Sequence, residues 1–308
     1  MSEEALRSVD LRKTYHSRGT PPVEALRGVS IEVRRGERVS LLGRNGAGKT
    51  TFLKIASTLL RPTSGTIEIF GEDADRHPER ARPYIAVVPQ EGKPFFHLTP
   101  REQIYTYLRA RGIGRETAKS RCEAAIAQMG LESVADRLSI TLSGGQRQRT
   151  MVATVIATEA PLLFLDEPSI GMDPFARRGV WDSLKGLTRK GSTLLLTTHY
   201  LDEAEVLSDR LYIIEGGRVL TAGTADELKR SLGGTLKVTI ADGRGLEETL
   251  RSFGECVADG GAVTVIVDPS RLRELLDFAV AHEKAATVGP VTLEEAFLRS
   301  VGRSINDE

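Results

Sequence analysis

Gly43 to Thr50, GRNGAGKT, match G-x-x-x-x-G-K-[ST], a spacing that wraps phosphate groups. The glycines at 43, 46 and 48 free the backbone so that successive N–H groups point into one concavity, and a helix starting near Lys49 adds its positive end. Lys49 can bring a full charge to the outer phosphates, and the Thr50 hydroxyl suits the magnesium ion that accompanies them. A second stretch, LSGGQRQR from Leu142 to Arg149, has the same chemistry in another form. Ser143 is suited to cap a helix whose first N–H groups Gly144 and Gly145 leave bare. Because a single nucleotide has one terminal phosphate, this stretch is either an ordinary capped helix or a site for a nucleotide held by another molecule.

Five further residues carry chemistry at the ends of strand-like runs. Leu162 to Leu165 end in Asp166-Glu167-Pro168. An acidic pair at the carboxyl end of a parallel strand lies where open α/β sheets bind ligands, with Asp166 able to hold magnesium and Glu167 able to orient or deprotonate water. Gln90 follows the strand Tyr84 to Pro89 and either contacts the magnesium or the attacking water or is a surface glutamine. His199 follows Thr193 to Thr198 and either touches the terminal phosphate or is structural. Tyr15, before the turn residues Gly19 to Pro22, is a structural tyrosine or a ring that stacks on adenine.

The elements that position these residues follow from periodicity. Val29, Ile31 and Val33 alternate with Ser30, Glu32 and Arg34 in a β-like stretch from Leu6 to Gly36, and Thr66 to Phe70 alternate as an edge strand of the same small sheet. Val39 to Leu42 form a buried strand before the glycine loop; Phe52, Ile55, Ala56, Leu59 and Leu60 continue at helical spacing until Pro62. Residues 91 to 97, EGKPFFH, place two phenylalanines in a loop, where exposure would mean docking to a partner and packing against the next helix would mean nothing. Arg101 to Ala135 have a helical texture that reads as an insertion, with Ile104, Tyr107 and Leu108 on one face and Ala124, Ala125, Ile126 and Met129 on another.

At 308 residues the chain has room for about two domains. Lys plus Arg number 42 and Asp plus Glu 42, so no global field draws it to nucleic acid or anionic lipid, and no nucleic-acid partner is expected. Cys122 and Cys256 lie far apart without metal-ligand spacing and read as thiols in a reducing cytosol. The N-terminus lacks a signal-peptide pattern, and no run approaches the ~20 apolar residues of a spanning helix, so a membrane role must come through a partner.

In their order, these motifs resemble the nucleotide-binding domain of ATP-binding cassette (ABC) proteins over about residues 5 to 230. The Walker A loop falls on Gly43 through Thr50, the Q-loop glutamine on Gln90, the signature on Leu142 through Gln146, and the Walker B strand on Leu162 to Asp166. The catalytic glutamate falls on Glu167, the D-loop on Ser169 to Asp173 and the switch histidine on His199; Tyr15 stands where the family places its adenine-stacking aromatic. Met172 departs from the more usual leucine, a conservative change. The resemblance implies an α/β P-loop NTPase core with an antiparallel β subdomain and a helical insertion at about 91–158. It also implies an ATPase with ATP and Mg2+ as cofactors. Tyr15, Gly43, Asn45, Gly46, Gly48, Lys49, Thr50, Thr51, Gln90, Ser143, Gly144, Gly145 and Gln146 would contact nucleotide, while Thr50, Gln90 and Asp166 would hold the metal and Glu167, His199 and Lys49 would act in catalysis. Two such domains would bury two ATP molecules head to tail, each between one Walker A loop and the opposite signature.

Past residue 230, Thr235 to Ile240, a helical stretch from Leu246 to Phe253, Val257, the Gly260-Gly261 turn, Ala262 to Val267, Arg271 to Ala281 and Thr287-Val288 suggest a small C-terminal α/β domain at 234–303. Its tail, Val291 to Arg303, is an amphipathic helix with Leu293, Ala296, Phe297 and Val301 on one face. A domain ending in TLE-x-x-FL resembles ATPase subunits of drug-, lipid- and polysaccharide-export systems, whose membrane subunits are separate chains. The expected partners are therefore a second ATPase subunit, identical or homologous, and an integral membrane permease that holds the chain at the cytoplasmic face of the membrane. The alternative is a soluble ABC ATPase driving assembly of a cytosolic complex; a phosphate-loop kinase would leave LSGGQ unexplained.

Overall fold

The computed structural model describes residues 3–90, 92–188, 191–232, 236–259 and 261–306. Glu91, the expected strand start at Thr235 and the Gly260 half of the turn lie outside them. The chain divides into two compact units, Met1–Val219 and Leu220–Glu308.

In the first unit, β1 (Glu4–Tyr15) and β2 (Val23–Arg34) pair antiparallel, and Val29, Ile31 and Val33 point inward while Ser30, Glu32 and Arg34 face solvent. β3 (Arg38–Leu42) leads through the glycine loop into α1 (Lys49–Ala56). This helix stops earlier than its apolar spacing predicts: Thr58 takes a left-handed φ of 61°, and Leu59 is turned out to solvent. β4 (Ser64–Ile69) is not the edge expected of it. It lies between β1 and the two-residue β5 (Glu72–Asp73), giving the order β2-β1-β4-β5, because Gly71 reverses the chain and supplies one more short strand.

A short α2 (Pro78–Ala81) precedes β6 (Ile85–Val88), which starts one residue later than Tyr84. The helical insertion follows as α3 (Pro100–Ala110), α4 (Arg115–Gln128) and α5 (Gly144–Ile156). Ile104, Leu108, Cys122, Ala125, Ile126 and Met129 interlock in its core, whereas Ala124 faces solvent. Burial raises the Cys122 thiol to about 11, so it is an inert packing group. Then come β7 (Leu162–Asp166), α6 (Pro174–Thr188), β8 (Thr193–Thr198), α7 (Leu201–Leu207), β9 (Arg210–Glu215) and β10 (Arg218–Gly223).

The larger sheet has the order β10-β9-β3-β8-β7-β6, with β6, β7, β8, β3 and β9 mutually parallel. Every residue of β7 and β8 is buried because both faces are covered. Alternation divides them between two cores: Leu163, Leu165, Leu194 and Leu196 join the helical insertion, and Leu162, Phe164 and Leu195 join α1 and the antiparallel sheet. The parallel arrangement brings the carboxyl ends of β3, β6, β7 and β8 to one edge. Gly43, Gln90, Glu167 and His199 follow those ends.

The second unit contains α8 (Ala225–Arg230), β11 (Leu236–Ile240), α9 (Glu247–Leu250), β12 (Glu255–Asp259), β13 (Ala262–Val267), α10 (Leu272–Ala281), β14 (Ala286–Pro290) and α11 (Leu293–Asn306). Its sheet order, β12-β13-β11-β14 with antiparallel pairs throughout, is that of the βαββαβ ferredoxin-like motif. Val238, Ile240, Val263, Val265, Leu275 and Ala279 build its core. Glu295, the residue that follows TLE, has a structural task here. Glu295 accepts from the Thr292 amide (2.8 Å) and hydroxyl (2.6 Å), and pairs with Lys237 of β11 at 2.5 Å. Among the described residues, no helix is long and apolar enough to cross a membrane.

Candidate functional site

The glycine loop is shaped by close approaches that a side chain would block. A Cβ on Gly43 would lie 2.3 Å from the Ile214 carbonyl, and one on Gly48, at φ 105°, 2.6 Å from the Ala25 carbonyl. Gly48 ends the loop as the N-cap of α1 and offers no side chain, so no side chain caps the first helical N–H groups. Asn45 and Gly46 are exposed at its crest. The Lys49 ammonium donates to the carbonyls of Gly43 (2.7 Å) and Arg44 (2.9 Å). Burial lowers its pKa, against the pull of Glu167, Asp166 and Glu215.

Beside the lysine, a chain of side-chain contacts joins four strand ends. The Thr50 hydroxyl lies 3.2 Å from both Gln90 Oε1 and Asp166 Oδ1. Gln90 Nε2 donates to Glu167 Oε2 at 3.3 Å, and Glu167 Oε1 lies 3.0 Å from His199 Nδ1. Asp166 is 1% exposed, and its desolvation raises the carboxyl pKa despite hydrogen bonds from Thr197 and Thr50. Glu167 is 5% exposed and held at a left-handed φ of 51°. Its amide donates to the Thr197 carbonyl (3.1 Å) and hydroxyl (3.2 Å). Thr197 thus holds the Asp166 carboxylate and the Glu167 backbone. Sequence reasoning missed it, although its place one residue before the end of an apolar strand was the available signal.

Tyr15 is 40% exposed with its hydroxyl 3.4 Å from Thr51 Oγ1, so its ring is accessible beside the start of α1. Ser143 forms a capping box with Gln146: the Ser143 hydroxyl accepts from the Gln146 amide at 3.2 Å, and Gln146 Oε1 accepts from the Ser143 amide at 2.9 Å. A Cβ on Gly144 would meet nothing within 4 Å, so this helix start opens to solvent. No hydrogen bond among the described residues links Ser143, Gly144, Gly145 or Gln146 to the phosphate loop. One turn on, Gln148 Nε2 donates to the Pro168 carbonyl at 3.3 Å, tying α5 to the segment after Glu167.

Phe95 and Phe96 are 73% and 40% exposed and do not disappear into the helix. Gln103 explains the posture of the loop: its Oε1 accepts from the Phe95 amide at 2.8 Å and its Nε2 donates to Thr154 Oγ1 at 3.3 Å, fixing backbone while leaving the ring outside. Next to it Val87, Pro89, Phe95, Tyr107, Met151 and Val155 line a mostly apolar groove of about 380 Å³.

Residues 26–170 match the ABC transporter family. The chain is 37% identical to the daunorubicin/doxorubicin resistance ATP-binding protein DrrA of Streptomyces peucetius, over 98% of this chain and 94% of that protein. It is 34% identical to the Nod factor export ATP-binding protein I of Burkholderia orbicola, over 91% and 93%. Among solved structures it is similar to a dimeric post-hydrolysis state of the ATP-binding cassette MJ0796 bound to ADP and Pi, with a TM-score of 0.67, 27% identity and coverage of 71% of this chain and 98% of that one. The strand-end constellation and full-length similarity lead to one assignment: this chain belongs to the ABC transporter family as an ATP-binding subunit and is an ATPase.

Proposed function

We propose that this chain pairs head to tail with a second copy, or with a homologous ATPase subunit, around two ATP molecules, and so powers a separate integral membrane permease of an exporter. The observation that carries this reading is a division of labour. Lys49, Thr50, Gln90, Asp166, Glu167 and His199 meet at one sheet edge, while the helix start after Ser143 opens to solvent at Gly144 without a glycine loop of its own. Residues 5–230 serve as the nucleotide-binding domain, with 91–158 its helical subdomain, and 234–303 as the accessory domain.

In this reading Tyr15 stacks on adenine, and the loop Gly43, Asn45, Gly46, Gly48, Thr51 cradles the phosphates. The hydroxyl, amide and carboxylate oxygens of Thr50, Gln90 and Asp166 converge as a hard-oxygen donor set that fits Mg2+. Bound there, the ion would neutralise charge on the outer phosphates. Glu167 aligns a water and accepts its proton as the water oxygen bonds to the γ-phosphorus and ADP leaves with the electron pair of the broken P–O bond. Lys49, His199 and, from the other subunit, the Ser143 hydroxyl and the N–H groups of Gly144 and Gly145 stabilise the developing charge. The groove beside Phe95 and Phe96 receives a cytoplasmic helix of the permease, which places the chain at the cytoplasmic face of the membrane. The similarity to resistance and Nod factor export proteins supports a drug-, lipid- or polysaccharide-like cargo recognised by the permease.

The test is Glu167→Gln in the tagged full chain. It retains ATP binding, loses about 10²- to 10⁴-fold in turnover and runs as a dimer with ATP and magnesium. Turnover near wild type refutes the role of Glu167, and a monomer at saturating ATP refutes the closed pair. A detergent pull-down of this variant from its native host recovers a multi-spanning membrane protein; recovery of a soluble complex without one supports the assembly ATPase instead.

A further inference from the structure

The contacts around His199 extend away from the proposed nucleotide site into the helix that follows the loop Ser169 to Asp173. The His199 ring packs on that of Tyr200, with centroids 4.1 Å apart and planes at 39°. The Arg177 guanidinium packs on the same Tyr200 ring, 4.2 Å from its centroid. Arg177 belongs to α6, one turn after Asp173, whose Oδ1 accepts from the Phe175 and Ala176 amides, each at 2.9 Å, and so joins loop to helix. Further along α6, buried Trp181 donates through Nε1 to Oε1 of Glu203 at 3.0 Å, and Glu203 is fully buried on α7. Arg177 also lies 3.7 Å from Asp202. The two helices are thus fastened at two levels, and the residue between β8 and α7 that bears the aromatic ring lies next to His199 in sequence.

We propose that Tyr200 is a positioning residue. Its ring, clasped by Arg177, holds the His199 imidazole on Glu167 and transmits displacements of the 169–173 loop to that imidazole. The inference rests on the proposed action of His199 and Glu167 on ATP, and it adds a regulation of that site: the histidine is set by the state of the loop before α6. The Tyr200 hydroxyl makes no hydrogen bond to another described residue, so the face of the ring is the working part. Misplacing a reacting group by about 1 Å costs on the order of 100-fold in rate, which sets the scale.

The experiment compares steady-state ATP hydrolysis and equilibrium ATP binding for the wild-type full chain and the variants Tyr200→Phe, Tyr200→Leu, Arg177→Ala, Tyr200→Leu with Arg177→Ala, and His199→Ala. Phenylalanine keeps the face and stays within about two-fold of wild type. Leucine keeps bulk without the aromatic face and lowers kcat about ten- to 100-fold while KM for ATP changes less than about two-fold. Arg177→Ala falls in the same direction, and the double variant is no worse than Tyr200→Leu alone, since both act through one ring. Wild-type kcat in Tyr200→Leu, an equal loss in Tyr200→Phe, or additive losses in the double variant would each overturn the proposal. His199→Ala separates the two levels of argument. If it loses turnover while Tyr200→Leu does not, the site stands and the positioning role falls; if it retains full turnover, both fall.

Discussion

Asp166→Asn should stabilise the nucleotide-free, metal-free protein while abolishing magnesium-dependent hydrolysis. Asp166 sits at 1% exposure, and burial outweighs the Thr197 and Thr50 hydrogen bonds, raising the folded-state pKa above the ordinary value of about 3.9. A carboxyl raised on folding favours the native state most below its unfolded pKa, and that favour is lost as pH rises through the folded pKa. At neutral pH the wild type therefore carries a desolvated anion that asparagine does not. The hydroxyls of Thr50 and Thr197 donate to Oδ1, an oxygen the amide retains. One opposing effect is local: Lys49 loses a counter-charge but keeps Glu167 and Glu215. The net gain should be about 0.5–2 kcal/mol, the usual scale for relieving a functional site of its strain. Urea unfolding in chelator measures it. The advantage of the asparagine variant should widen from about pH 4 upward and level off once the native carboxyl is ionised. A variant less stable than wild type at pH 8, or an advantage equal at all pH values, would refute the argument that the buried charge is costly.

Ser143→Ala removes half of the capping box with Gln146 and should cost about 1 kcal/mol in urea unfolding; it should also lower turnover while single-subunit ATP binding holds. In the second unit, Glu295→Ala should lower stability by about 1–3 kcal/mol in thermal or urea unfolding, because Lys237 and Thr292 lose a shared acceptor. Burial raises the Glu295 pKa, but the Lys237 and Thr292 bonds outweigh that and lower it. The contribution is thus present above about pH 4.3 and lost as pH falls through the folded value, so wild type and variant should converge on acidification.

That the glycine loop, both carboxylates, Gln90 and His199 meet was legible in the sequence, because each stands at the end of a short apolar run and parallel strands deliver such ends to one edge. Local signals faded where tertiary contacts chose among alternatives. Leu59 had helical spacing, yet the chain leaves the helix at Ala56, and Ala124 matched a helical face that the insertion leaves in water. The strand after Gly65 became interior when β5 added an edge. Thr197, Gln103 and Arg177 escaped notice because a hydroxyl, an amide and a guanidinium have no periodic signature; their tasks exist once distant strands and helices bring partners within 2.8–4.2 Å. The sequence alone determined the chemistry at the strand ends, since that depends on residue identity and spacing. Only the tertiary structure decided which buried side chains hold that chemistry in place, since burial and hydrogen-bond partners belong to segments far apart along the chain.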